Sequence, residues 1–268
     1  MSAPRTRRRR RTTVASRFGV LVLALVGVAG VMYMALRLMA GPGGESAVQA
    51  TPIPTAAPAT AVPTASPEPT PSLPTVDINS WELRMIRYEN PLGKDFVPES
   101  LTTIENNERM DSRVAPAMEQ LIASARSAGY SVYFCSGYRD YNTQYTIWWN
   151  HIYDYEARGY TRQEAEDATR LAVNYPGCSE HQSGLCADVL ESWDQPMEPY
   201  IGGSGLMLWL EQNCAKYGFV VRYPDGKTDI TGVEYEPWHL RYVGWEAAQY
   251  MMENGLCLEE FLDLYSVG

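Results

Sequence analysis

The chain has 268 residues, 45% of them hydrophobic, and a formal net charge of −10 at pH 7. The charge is unevenly distributed, because residues 1–40 contain eight arginines and no acidic residue, whereas the remainder has 14 basic and 32 acidic residues. This acidic remainder argues against nucleic acid as a partner, since binding to phosphates requires clustered lysine and arginine. Its charge mainly favours solubility.

The first 40 residues predict a membrane anchor. Residues 1–17 form a basic head, and the apolar segment 18–40 begins with 19 residues (18–36) that carry no charge. This is about the length that a helix needs to cross the hydrocarbon, and the preceding arginines favour a cytoplasmic N-terminus. We expect an uncleaved signal anchor in the cell membrane with the C-terminal domain outside. A cleaved signal peptide is the alternative, and either would export the domain.

Residues 41–76 predict a linker. They contain nine of the 18 prolines, among threonine, alanine and serine. Such a tract buries little and favours extended polyproline conformations. We expect a disordered spacer that carries the domain away from the membrane, although a merely tolerated tether has the same composition.

Residues 77–268 have the composition of one globular domain. An amphipathic helix is expected at 114–128, and Thr161 and Glu164 form a capping box that opens another. The helical segments are 114–128, 141–156, 161–173, 205–217 and 244–254, and the strand segments are 131–135, 185–190, 219–222 and 239–243. Because the two types do not alternate regularly, the pattern indicates an α+β fold.

The five cysteines can form disulfides in an exported domain. Cys178 and Cys186 bracket His181 and predict a bridge that closes a small loop around it. Cys214 and Cys257 are the second expected pair, which leaves Cys135 unpaired, although sequence alone leaves the connectivity open. Metal binding by the cysteines is the weaker alternative, because the chain has no CxxC motif.

Two of the three histidines are candidate metal ligands. His151 lies in an aromatic helical segment, where a structural or solvated histidine is expected. His181 and His239 lie in short segments marked by glycine or proline, and each has an acid nearby: Asp188 follows His181 by seven residues, and Glu236 precedes His239 by three.

These offsets are compatible with one cleft. On one continuous strand, an odd offset would place the two side chains on opposite faces. The Ser183-Gly184 turn removes this conflict, because His181 can then come from a loop and Asp188 from a strand. Zinc held by His181, Asp188 and His239 would keep a position for water.

The segment around Glu236 would complete this site. Pro237 is expected to prevent a regular inner strand, so that Trp238 packs inward while Glu236 and His239 face the cleft. Glu236 could then take the proton of the water.

Arg139 follows a strand and Ser136-Gly137-Tyr138, which would project it from the edge of a sheet. A fixed guanidinium suits a substrate carboxylate or a developing oxyanion. A surface salt bridge is the alternative role.

Three segments resemble the signatures of the VanY-type zinc D-alanyl-D-alanine carboxypeptidases, relatives of VanX and of hedgehog-like zinc peptidases. They are SGYRDYNTQ (136–144), SEHQSGLCADV (179–189) and EPWHLRYVG (236–244). The resemblance runs from about Trp81 to the C-terminus and includes GFVVRYP (218–224) and LEEFL (258–262). It implies an α+β fold in which a small antiparallel sheet with flanking helices carries the metal, and removal of the terminal D-alanine from peptidoglycan stem peptides.

The resemblance also implies a role for each matching residue. Zinc would be the cofactor, with one glutamate as the catalytic base and one arginine that contacts substrate and stabilises the transition state. The implied residues are His181, Asp188 and His239 as ligands, Glu236 as the base, Arg139 as the arginine, and Gln144, Ser179 and Trp238 around the substrate.

The chain departs from the family pattern at Cys178 and Cys186, where small residues are usual, and at Asp140, where serine is common. An L,D-carboxypeptidase and a D-Ala-D-Ala dipeptidase are alternatives with the same zinc site, and an inactive wall-binding module is an alternative of another class. The glutamate Glu236 argues against the last, because a binding module needs no base. The oligomeric state stays open, with a monomer expected.

Overall fold

The computed structural model describes residues 72–266. The basic head, the anchor segment and most of the predicted linker therefore lie outside the described residues. Among residues 72–266, none of the helices combines the length and the hydropathy that crossing a bilayer requires.

Short strands and helices of both kinds make up the domain. The strands are β1 (Leu101–Thr103), β2 (Arg109–Asp111), β3 (Tyr133–Ser136), β4 (Cys186–Leu190), β5 (Phe219–Tyr223) and β6 (Glu236–Tyr242). The α-helices are α1 (Ala115–Ser127), α2 (Tyr141–Ala157), α3 (Arg162–Ala172), α4 (Gly205–Asn213), α5 (Thr228–Thr231), α6 (Trp245–Asn254) and α7 (Leu258–Ser266), with 3₁₀ turns at Glu180–Ser183, Pro199–Gly203 and Cys214–Tyr217.

The strands form two antiparallel sheets. β1 pairs with β2, and the other four strands form a sheet in the order β3-β4-β6-β5. The predicted α+β class with a small antiparallel sheet is confirmed. The central strands are β4 and β6, which contain two of the three sequence motifs.

Side-chain caps begin two helices, one of them at the capping box predicted from the sequence. The Thr161 amide donates to Glu164 Oε2 at 2.8 Å, and the Glu164 amide donates to Thr161 Oγ1 at 3.3 Å, so the predicted capping box opens α3. Asp140 Oδ1 accepts from the Thr143 amide at 2.7 Å and caps α2. Such side-chain caps satisfy amides that the first turn leaves unpaired.

The two faces of the four-stranded sheet differ in chemistry. One face packs on the main apolar core, which includes Ala187, Val189 and Leu240 together with residues of α1 and α4. Side chains alternate along a strand, so Asp188 and His239 point to the opposite face. The alternation of side chains thus gives the sheet one face in the apolar core and one polar face.

Strand β6 begins at Glu236, three residues earlier than expected, and Pro237 lies within it. In this part β6 pairs only with β5, and the register shifts between Val221 and Tyr223. Proline is tolerated at such an irregularity because no regular ladder bond needs its amide. Pro237 therefore interrupts the regular pairing, as expected, but it does so as a bulge within the inner strand β6 and does not end the strand.

The disulfide prediction is wrong: all five cysteines are free thiols. Cys178 lines a cavity with residues 87–89, whereas Cys186 lies on β4 beside His181 and His239.

The second predicted pair is also separated by packing. Cys214 belongs to the main apolar core, and Cys257 precedes α7, where its amide donates to Glu260 Oε2 at 2.9 Å.

Candidate metal centre

Asp188, His181 and His239 converge on the polar face of the sheet. Asp188 and His239 are register partners on β4 and β6, and Asp188 Oδ1 lies 3.2 Å from His239 Nδ1. His181, in the 3₁₀ turn before β4, places Nε2 3.3 Å from Asp188 Oδ2. All three side chains are buried. The loop-and-strand arrangement expected from the Ser183-Gly184 turn is confirmed.

Gly184 makes the turn possible. Its φ is +71°, a conformation that residues with a side chain rarely adopt. A Cβ there would also lie 2.9 Å from the Asp111 amide nitrogen, which itself donates to the Gly184 carbonyl at 3.0 Å. The close packing of β2 against the turn therefore requires glycine.

A backbone hydrogen bond fixes the orientation of His181. Its Nδ1 lies 2.6 Å from the Gly137 carbonyl oxygen, which can only accept, so Nδ1 carries the proton. Nε2 is then left as the free donor atom toward Asp188. Most metal-binding histidines are oriented in this way, by a hydrogen bond from the ring nitrogen that does not bind the metal.

The residues present fit a zinc ion. His181 Nε2 and Asp188 Oδ1 are buried without a hydrogen-bond partner in the described part of the chain, and unsatisfied buried polar atoms are costly unless something binds them. Two imidazole nitrogens and a carboxylate are a common catalytic donor set for zinc. His181, Asp188 and His239 would hold it.

The charges of the three groups are strongly coupled. Burial opposes ionisation of Asp188, but the positive charges of His181 and His239 beside it hold its pKa far below the usual range. Burial and Arg139 lower the pKa of His181, whereas Cys186 and Asp188 raise it, to about 9. A proton therefore competes for the position that a metal would take.

Glu236 lies beside the centre at the start of β6. Its Oε2 is 3.4 Å from His239 Nδ1. Burial raises the pKa of Glu236 to about 8, with a contribution from Asp188, while His239 lowers it in part. A carboxylate with a raised pKa is suited to exchanging protons near neutral pH.

A buried charge network that the sequence did not reveal lies behind His239. Glu180 is completely buried, with Oε2 3.9 Å from His239 Nε2 and Oε1 2.8 Å from Arg222 Nε and 2.7 Å from Arg241 Nη1. Glu259 accepts from Arg222 at 2.7 and 2.9 Å. An acidic residue next to a candidate ligand is too common in sequences to identify Glu180. Its arginine partners, on β5 and β6, lie far from it in the sequence and become neighbours only in the fold.

A cleft of about 520 Å³ opens on the centre. All the site residues inferred from the sequence line it, namely Arg139, Gln144, Ser179, His181, Asp188, Glu236, Trp238 and His239. His151, expected to be structural or solvated, is exposed and lies further along the same cleft. The structure thus brings the predicted residues together, and their roles stay predictions.

Arg139 is held by its backbone, whose amide donates to the His181 carbonyl at 3.1 Å. Its Nε is buried and has no hydrogen-bond partner within residues 72–266. Gln144 donates Nε2 to the Asn174 carbonyl at 2.7 Å, which fixes its position on the cleft wall. A guanidinium free to bind an anion therefore faces the same cleft as the donor set.

Comparison with known proteins places these motifs in one family. The family model VanY, described as D-alanyl-D-alanine carboxypeptidase, matches residues 107–245, just over half of the chain. A D-alanyl-D-alanine carboxypeptidase of Enterococcus faecalis (strain ATCC 700802 / V583) is 38% identical over 187 residues, which cover 70% of this chain and 68% of that protein.

Two solved structures are also similar. A mutant of the vancomycin-resistance D,D-pentapeptidase VanY in complex with Zn(II) has a TM-score of 0.62 and 39% identity, covering 68% of this chain and 99% of the other. VanYB in complex with D-alanine-D-alanine has a TM-score of 0.63 and 38% identity, with coverages of 69% and 98%.

Proposed function

The chain belongs to the VanY family of D-alanyl-D-alanine carboxypeptidases, and from this premise we propose that it is a zinc-dependent carboxypeptidase that removes the C-terminal D-alanine from peptidoglycan stem peptides. The observation that carries the proposal is the convergence of His181, Asp188 and His239 beside Glu236 in a single cleft. A catalytic zinc site needs this combination of three donors, an accessible side and a base.

The three donors would hold the metal in a buried position that the surrounding residues fix in advance. Gly137 fixes His181, and Glu180 faces the far nitrogen of His239. When bound, zinc would polarise a carbonyl and lower the pKa of water. The surrounding residues have the remaining tasks of proton transfer and substrate orientation.

Glu236 is the proposed general base and acid. Its carboxylate accepts the proton of the attacking water and then donates it to the amine of the departing D-alanine. Burial of Glu236 raises its pKa to about 8 and so brings it near the operating range for both transfers.

Arg139 is the proposed anion-binding residue. Its Nε has no hydrogen-bond partner among residues 72–266 and it lines the cleft. Arg139 therefore suits the terminal carboxylate of the substrate or the negative charge that develops on the scissile carbonyl. Gln144, Ser179 and Trp238 form the walls around this position.

The N-terminal sequence supports a place of action outside the cell membrane. An apolar segment after a basic head and a proline-rich tract before the domain fit a tethered enzyme whose substrate is in the wall. We propose a single-pass anchor with residues 77–268 extracellular.

The test is mass spectrometry of defined stem peptides after incubation with the protein. We expect a pentapeptide ending in D-Ala-D-Ala to lose one D-alanine, and a chelator to prevent the loss. Cleavage of a tetrapeptide alone would identify an L,D-carboxypeptidase, and hydrolysis of free D-Ala-D-Ala a dipeptidase. A zinc-loaded protein that releases no D-alanine from any of them would contradict the proposal and favour a binding module.

A further inference from the structure

Cys186 lies at the metal centre although the carboxypeptidase chemistry has no use for it. It opens β4, two residues before Asp188, and is completely buried. Residues two apart on a strand share a face, so its thiol points to the same side as the Asp188 carboxylate. Its register partner on β6 is Arg241, one layer below His239.

The thiol and the two histidines can bind one ion together. One donor atom each from His181, Cys186 and His239 lie within 4.8 Å of one another. His181 Nε2 is buried and has no hydrogen-bond partner in the described chain, which leaves it available to an ion. This unsatisfied nitrogen points to a bound ligand independently of the cysteine.

We propose that Cys186 is a further metal donor of this centre, and that a thiophilic divalent ion such as Cd²⁺ is held by His181, Cys186 and His239. Binding replaces the S–H bond of Cys186 with a metal–sulfur bond and releases the thiol proton to solvent, together with any proton that the metal displaces from His181. No oxidation state changes. Soft thiolate ligands favour soft ions, whereas carboxylates favour harder ones.

The centre therefore offers two donor sets that share both histidines. Asp188 completes the set for zinc, and Cys186 completes the set for the softer ion. Since the histidines are common to both, the two ions exclude each other. The consequence for catalysis rests on the proposed function: the thiophilic ion would displace zinc and stop turnover.

The test is titration of the metal-free full chain with Cd²⁺, followed by ultraviolet sulfur-to-cadmium charge-transfer absorption and by competition with a chelator. Wild type should show the absorption, and Cys186→Ala should lose it. Losing an outer partner of a metal ligand already costs about 10–100-fold in affinity, so losing a direct donor should weaken Cd²⁺ binding at least tenfold. Zinc affinity should change less.

Cys178→Ala is the matched control, because Cys178 is also a buried thiol but lines the separate cavity beside Arg87 and Glu89. It should keep both the absorption and the affinity. Cys186→Ser preserves the size of the side chain and should behave like Cys186→Ala, which separates loss of the donor from loss of packing.

X-ray absorption at the cadmium edge of wild type and of Cys186→Ala identifies the donor atoms directly. A sulfur neighbour that Cys186→Ala lacks supports the proposal. A sulfur neighbour that the variant retains, or a first shell of nitrogen and oxygen alone in wild type, overturns it. Equal charge-transfer absorption in wild type and Cys186→Ala would overturn it as well. Failure of the carboxypeptidase function would appear separately, as absence of D-alanine release from the zinc-loaded protein.

Discussion

Asp188 and His239 lie directly opposite each other on adjacent antiparallel strands, with Asp188 Oδ1 3.2 Å from His239 Nδ1. Side chains alternate between the faces of a sheet, so a register shift of one residue would turn one of them into the apolar core. The metal centre therefore depends on how β4 and β6 pair as well as on which residues they contain.

Replacing the proposed base should separate metal binding from turnover. Glu236→Ala removes the proton acceptor but none of the three donors, so zinc content should be unchanged. Turnover should fall about 10²–10⁴-fold, the usual contribution of a general base. D-alanine release and metal analysis of the same sample measure both effects.

The control for this variant is Glu211→Gln, which changes an exposed carboxylate on α4 away from the cleft. It should retain wild-type turnover. A Glu236→Ala protein that hydrolyses the pentapeptide at the wild-type rate would assign the proton transfer to another group.

Glu180→Gln should weaken both the fold and the metal centre. The change leaves Arg241 without its buried counter-charge, whereas Arg222 keeps its pair with Glu259. Breaking a buried pair costs about 3–5 kcal/mol. The change also alters the group facing His239, which should lower zinc affinity about 10–100-fold. Denaturant unfolding and chelator competition measure the two losses.

The surface change Glu253→Gln is the comparison, because this side chain is exposed. It should leave both quantities near wild type. Unaltered zinc affinity in Glu180→Gln would show that His239 does not depend on Glu180 for its orientation.

Arg139→Ala should lower kcat/KM about 10²–10³-fold, as expected for losing one preorganised donor to developing charge. An effect on kcat alone would place the guanidinium on the transition state, whereas an effect on KM alone would place it on the substrate carboxylate. Steady-state kinetics with a pentapeptide distinguish these. Arg162→Ala, which removes a half-exposed guanidinium paired with Glu156, should leave both constants unchanged.

Zinc affinity should rise with pH. The metal-free His181 has a pKa raised to about 9, so at lower pH the metal must displace a proton from it. Apparent affinity should therefore increase steadily as the pH approaches this value and then level off. Chelator competition across a pH series measures it, and a flat profile over this range would contradict the coupling of His181 to Asp188.

Gly184→Ala should destabilise the domain by about 1–3 kcal/mol, the cost of a residue held in an unfavourable backbone conformation. The contact with the Asp111 amide would also displace the turn that carries His181, so zinc affinity should fall. Gly203→Ala is the control, since a Cβ there meets no atom of the described domain within 4 Å. Thermal unfolding measures the stability of both variants. Equal midpoint temperatures for Gly184→Ala and Gly203→Ala would contradict the steric argument.

Features that depend on neighbouring residues could be predicted from the amino-acid sequence. The capping box of α3, the glycine turn between His181 and Asp188, and the apolar face of α1 are all encoded within a few residues, where backbone preferences and periodicity act. The donor types at the centre were also readable, because their chemistry belongs to the side chains themselves.

Contacts between residues far apart in the chain became visible in the folded domain. The pairing of β4 with β6 set Asp188 against His239, and β5 and β6 brought Arg222 and Arg241 to Glu180. The same packing overturned the expected Cys178–Cys186 bridge, because Cys186 faces the histidines. Contacts of this kind depend on strand register and core packing across the whole chain, which local patterns do not specify.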